Sequence, residues 1–172
     1  MVLARQIFSA GTKPPTVAEI VAGVPRPVAR QVFSSAHQAL LSLTSVAGDK
    51  TLPSIVIPVG GIAGTVTRAL LAFSFREVEN TNASVNQLSG AQDIQFKKSG
   101  GAFVDAINFV TQEFVVPAVA RGGGDLKIGT IDLTSTVTGD GTYASQWDEG
   151  IVLGNNLIFY DTQMHLIVES RI

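Results

Sequence analysis

The chain has 172 residues, a net charge of −2, two histidines and no cysteine. That suits one domain able to bury a core unaided, and excludes a disulfide framework or a thiolate zinc site. Charged residues make up 15%, against about 25% in ordinary soluble chains, and mean hydropathy is +0.31, yet no apolar run approaches the roughly 18 residues of a membrane span. Such a chain is expected to hide part of its surface in subunit contacts.

Charge is unevenly placed. Residues 1–60 carry five basic side chains against two acidic ones, a net +3, and the remaining seven basic and twelve acidic groups give −5. Residues 1–30 hold Pro14-Pro15 and Pro25-Arg26-Pro27 with Gly11 and Gly23 beside them. Proline removes donors and extends the residue before it, so this stretch reads as an extended N-terminal arm with at most a helical turn between Thr16 and Ala22. Its start, Met1 to Phe8, lacks a sustained apolar region and is followed by Lys13, which argues against a secretory signal and for intracellular synthesis. A basic arm on an acidic body can dock on an acidic partner, including another copy, with Arg5, Phe8, Lys13, Arg26 and Arg30 as its candidate contacts.

Residues 31–172 read as one β domain. Val32, Ala36, Leu40 and Leu43 sit at helical spacing, but from Gln38 Leu41 and Leu43 alternate with polar neighbours, so Ala29 to Leu43 is expected to open as a short helix and end as a strand. Gly48-Asp49-Lys50 is a turn, and Ser54 to Val59 a short strand between Pro53 and Pro58, as suits an edge. Residues 65–79 form the central strand, with Ala69, Leu71, Phe73 and Phe75 on one side and Arg68, Ser74 and Arg76 on the other. Leu70 and Ala72 make its second face partly apolar, which predicts cover on that side too.

After a loop over 80–90, Gln92 to Lys97 alternates and Ser99-Gly100-Gly101 turns the chain into a partner strand within Ala102 to Val110, although Phe103, Ile107, Val110 and Phe114 also fit a helical face. Pro117 and Arg121-Gly122-Gly123-Gly124-Asp125 read as a loop. Leu126 to Thr138 alternates in two phases, which a bulge near Gly129 would join. Gly139-Asp140-Gly141 reads as a hairpin turn into Tyr143, Ser145 and Trp147, which share a side, and 148–156 as a loop. In the last strand Met164, Leu166, Val168 and Ile172 are expected to face in, and Gln163, His165, Glu169 and Arg171 out. The expected fold is all-β, an antiparallel β-sandwich of jelly-roll type preceded by the arm.

No pattern announces a reaction, and neither an enzyme, a metal nor a cofactor is expected. Glu77 and Glu79 share a strand face, as an acid/base pair or hard-cation site requires, but with no third ligand in view a solvated strand end is the simpler reading. Asp140 is better read as a turn residue than a calcium ligand, and Asp148-Glu149 and Asp161 add no spacing. His37 and His165 lack ligand spacing, and no G-x-S-x-G elbow is present. Gly60-Gly61 and Gly122-Gly123-Gly124 lack a phosphate-loop pattern and read as turns. Lys97-Lys98 is a hairpin tip on an acidic body, so neither nucleic acid nor membrane is expected as a partner. Asn82-Ala83-Ser84 matches a glycosylation acceptor, which needs secretion to matter. Tyr143 and Trp147 could stack on a sugar ring, as in a carbohydrate-binding or receptor-binding sandwich, or pack in the core.

The arm, the Gly-turned sandwich, the lack of cysteine and a chain ending in its last strand (Leu166 to Ile172) together resemble small capsid-associated proteins of tailed bacteriophages, above all the decoration, or cement, proteins. The resemblance implies a structural virion protein on the capsid surface, assembled in the host cytoplasm. It would self-associate, as a trimer in many cases, and stabilise contacts between major capsid subunits. It carries over no individual site residue.

Overall fold

The computed structural model describes residues 28–43, 48–80, 92–108, 119–149 and 157–172. They form nine strands and, among the described residues, no helix: β1 (Val28–Ser34), β2 (Gln38–Leu43), β3 (Lys50–Ile57), β4 (Thr65–Asn80), β5 (Gln92–Lys98), β6 (Val104–Asn108), β7 (Val119–Ile128), β8 (Gly141–Glu149) and β9 (Leu157–Arg171). The first sheet runs β1-β9-β4-β7 with β2 also on β9, and the second runs β3-β8-β5-β6. Neighbours are antiparallel throughout, and one sheet curls into a half-barrel.

The helix expected from Ala29 is absent. β1 pairs with β9 from Val28↔Arg171 to Ser34↔His165, and β2 pairs with it from Gln38↔Thr162 to Leu43↔Leu157. The two are one strand broken at 35–37, where Ser35 Oγ accepts from Met164 N–H at 3.1 Å and Ser35 N–H donates to Met164 O at 2.9 Å. A full ladder along β9 outweighs apolar residues that happen to recur at helical spacing. β1 starts at Val28, so the last three residues of the expected arm, Arg30 among them, belong to the sheet.

The central strand is as expected, with Ala69, Leu71, Phe73 and Phe75 buried. They meet Met164, Leu166 and Val168 of β9 and, from the second sheet, Ile94, Phe96, Tyr143 and Trp147 in one core. Phe73 is its centre, its ring centroid 5.4 Å from that of Phe159 in the same sheet and 6.1 Å from that of Trp147 in the other.

Buried residues in β4 switch phase between Phe75 and Val78, and in β9 between Phe159 and Thr162, although Phe73↔Met164 and Glu77↔Tyr160 keep one register. The two long strands therefore kink together, with Asp161 at φ 50° absorbing the turn in β9. The glycine run expected to be a loop lies inside β7 beside this kink. A Cβ on Gly124 would collide with the carbonyl oxygens of Phe75 and Arg76, so this glycine admits a neighbouring backbone instead of making a turn.

The bulge expected near Gly129 is also absent. Leu126 and Ile128 stay on the outer face, whereas Leu133 and Val137 are buried, because the chain leaves β7 and crosses to the other sheet. Gly129 N–H donates to Leu71 O at 2.9 Å, and the site has no room for a Cβ beside Ala106 O. Asp132 Oδ1 accepts from Ala69 N–H at 3.2 Å and Thr134 N–H at 3.0 Å, pinning the crossing to β4. Gly139-Asp140-Gly141 accordingly ends a crossing and makes no hairpin, since β8 lies between β3 and β5. The β5–β6 hairpin through Ser99-Gly100-Gly101 is as expected. β3 begins earlier than expected, at Lys50, and carries Pro53 at its bulge on a sheet edge; Ile172 is exposed, past the end of the core.

Candidate functional site

The outer face of the first sheet is built by the positions that β1, β9, β4 and β7 turn away from the core. Its cross-strand rows are Arg30–Glu169–Arg68, then Val32–Ile167–Leu70, then Ser34–His165–Ala72–Ile128, then Gln163–Ser74–Leu126. Val32 is 57%, Leu126 51% and Ile128 43% exposed, while Ala72 and Ile167 are buried between them. The partly apolar second face of the central strand thus stands at the middle of a broad, weakly polar surface.

One titratable group sits in that patch. His165 Nδ1 is 2.8 Å from Ser34 Oγ and its Nε2 is 2.9 Å from Ser74 Oγ. A neutral imidazole has one donor and one acceptor nitrogen, so one hydroxyl accepts while the other donates and the ring is satisfied uncharged. Burial, and secondarily His37, holds its pKa below the ordinary value.

Charged groups flank the patch. Arg30, Arg68 and Arg171 with Glu169 lie at one end. At the kinked end, Arg121 Nε meets Glu77 at 2.5 Å and stacks 4.4 Å from the Tyr160 ring centroid. Tyr160 donates to Glu79 at 2.9 Å, and Arg76 pairs with Asp161 at 2.6 Å. The Glu77 hydrogen bond raises the Arg121 pKa, and the Glu79 hydrogen bond raises that of Tyr160. Glu77 and Glu79 do share a face, where an arginine and a phenol occupy them.

The second sheet's outer face has a different chemistry. Gln146 Nε2 donates to Asp49 at 3.1 Å and to Gln95 Oε1 at 2.9 Å, and Gln95 Nε2 donates to Asp148 at 3.0 Å and Asp105 at 3.2 Å. Amide groups thus separate carboxylates that face one another. Burial first, then Asp49 and Asp105, holds the Asp148 pKa above the ordinary carboxylate value. No group of three or more metal-ligating side chains occurs among the described residues.

Of the residues singled out from sequence, Arg5, Phe8, Lys13, Arg26, Asn82, Ala83 and Ser84 lie outside the described residues. Arg30 is exposed on β1 opposite Glu169. Tyr143 and Trp147 are fully buried, Tyr143 stacked on Phe96 at 5.4 Å and Trp147 against Phe73, so neither has a face for a sugar. Lys97 lies over Phe103 at 4.2 Å and Lys98 over Tyr143 at 5.8 Å. Asp140 lines an open cleft of about 420 Å³ with Gly60, Ile62, Thr65, Thr134 and Val137, a lining without a histidine or a second carboxylate. The Ser34–His165–Ser74 link and the Asp/Gln grid went unforeseen, since each depends on strand register. No described helix is long and apolar enough to cross a membrane.

No family model matches the chain, and no curated protein matches it. Among solved structures it is similar to the crystal structure of FLHE, with 9% identity over 83% of this chain and 98% of that one and a TM-score of 0.35, a likeness too slight to carry an argument.

Proposed function

We propose that this protein is a structural virion subunit of jelly-roll type, a decoration protein that self-associates and binds the outside of a phage capsid to stabilise contacts between major capsid subunits. The observation that carries the reading is the nesting of strand pairs. Taking β1 and β2 as one strand, the first pairs with the last (β9), β3 with β8, β4 with β7 and β5 with β6. Rolling such a nested hairpin over a core yields two four-stranded sheets with this order, the architecture that capsid, lectin and cupin domains share. Within that group, a broad apolar outer face favours a subunit of an assembly over a sugar-binding module, whose expected stacking residues are in the core.

The test is co-sedimentation of the purified full chain with empty capsids of its own phage, beside a variant lacking the 27 residues that precede β1. The full chain is expected to travel with the capsids and the truncated one to stay behind, folded by circular dichroism. A folded full chain that remains at the top of the gradient overturns the decoration role.

A further inference from the structure

The first sheet's outer face has the anatomy of an interface: an apolar and neutral centre between two charged ends. Its four rows, three or four strands wide with strands about 4.8 Å and rows about 6.7 Å apart, project roughly 400 Å², and the charged ends extend it along the strands. The ends are unlike. At one, Arg30, Arg68 and Arg171 outnumber Glu169, and at the other Glu77, Glu79 and Asp161 outnumber Arg76 and Arg121. The centre holds Val32, Leu70, Ile167, Leu126 and Ile128, and its one titratable ring, His165, is hydrogen-bonded to two serines.

We propose that this face binds a second copy of the chain, face to face, about a two-fold axis lying in the interface and crossing the strands. Such an axis reverses the strand direction between copies. Each basic end then meets the partner's acidic end while the apolar centres meet each other, so one surface is complementary to itself. An axis parallel to the strands would set arginines against arginines. The proposal rests on the reading of the protein as a self-associating subunit and names the surface that does it.

The experiment is sedimentation velocity of the full chain over a concentration series, with Val32→Asp, Arg68→Glu, Glu79→Arg and the Arg68→Glu/Glu79→Arg double variant, each checked for fold by circular dichroism. Val32 and Arg68 are exposed, so the fold tolerates both changes. Val32→Asp places a charge in the centre twice per dimer and is expected to raise the dissociation constant by about 100-fold. Each single charge reversal is expected to raise it several-fold, and the double variant to recover most of that loss, because both reversed ends still meet opposites. A wild-type dimer or trimer whose mass Val32→Asp leaves unchanged overturns this surface while leaving self-association standing. A wild-type chain that is monomeric at every concentration overturns both. A double variant weaker than either single one overturns the two-fold arrangement.

Discussion

The two sheets turn the same kind of side chain inward and differ in the polar groups they turn outward. Beneath, Phe73 and Phe159 of the first sheet and Trp147 and Phe96 of the second belong to one buried cluster. Outside, the first sheet shows Val32, Leu126 and Ile128 around His165, and the second shows Asp49, Asp105 and Asp148 linked through Gln95 and Gln146, together with exposed Val56 and Val104. Packing therefore accounts for the inner positions of both sheets, and only the outer positions distinguish them. A function that differs between the faces has to be sought there.

The sharpest way to break the comparison is to separate the sheets. Phe73→Ala removes the ring on which both pack and is expected to cost about 3–5 kcal/mol. Chemical denaturation followed by Trp147 fluorescence and by circular dichroism should still give one coincident transition. Two transitions would show that the faces belong to independent layers.

A smaller change should fall on the first sheet alone. Gly124→Ala forces a Cβ against the kinked backbone at Phe75 and Arg76 and is expected to cost about 1–3 kcal/mol. Amide exchange should quicken in β7 and the adjoining part of β4 while β3 and β8 keep their protection. Equal loss in both sheets would mean that the kink is not local.

The smallest effect sharpens the contrast by its sign. His165 has a native pKa below 6.5, so between that native value and 6.5 the unfolded chain binds more protons, and stability falls as pH drops through this window. Asp148 has a native pKa above 3.8, so the native state binds more protons between 3.8 and that value, and stability falls there as pH rises. His165→Gln should flatten the first slope and Asp148→Asn the second in urea midpoints measured from pH 3 to 7. Slopes of one sign for both would mean that one of the two environments is misread.

Legibility followed range. The odd positions of β4, the β5–β6 hairpin and the shared side of Tyr143, Ser145 and Trp147 were readable because each depends on neighbours a few residues away. The helix expected at Ala29 failed because β9 offers residues 28–34 a full ladder, something no local pattern reveals. The strand position of Gly122-Gly123-Gly124 is hidden because glycine serves turns and close backbone approach alike, and the backbone that Gly124 approaches lies almost fifty residues earlier in the chain. Tyr143 and Trp147 carry the same alternation whether they stack on a ligand or on Phe96 and Phe73. Nothing short of strand order could choose.

By itself the sequence determined a strand-rich chain, the inward residues of β4 up to Phe75 and of β9 from Met164 to Val168, and the lack of thiol chemistry, since side-chain period and composition are local properties. Tertiary structure alone decided which strands are neighbours and hence which outward side chains share a surface. Ser34 reaches His165 across 131 residues, and His165 reaches Ser74 across 91. Contacts at that separation are set by sheet register, because alternation assigns each side chain to a face without saying what will lie beside it.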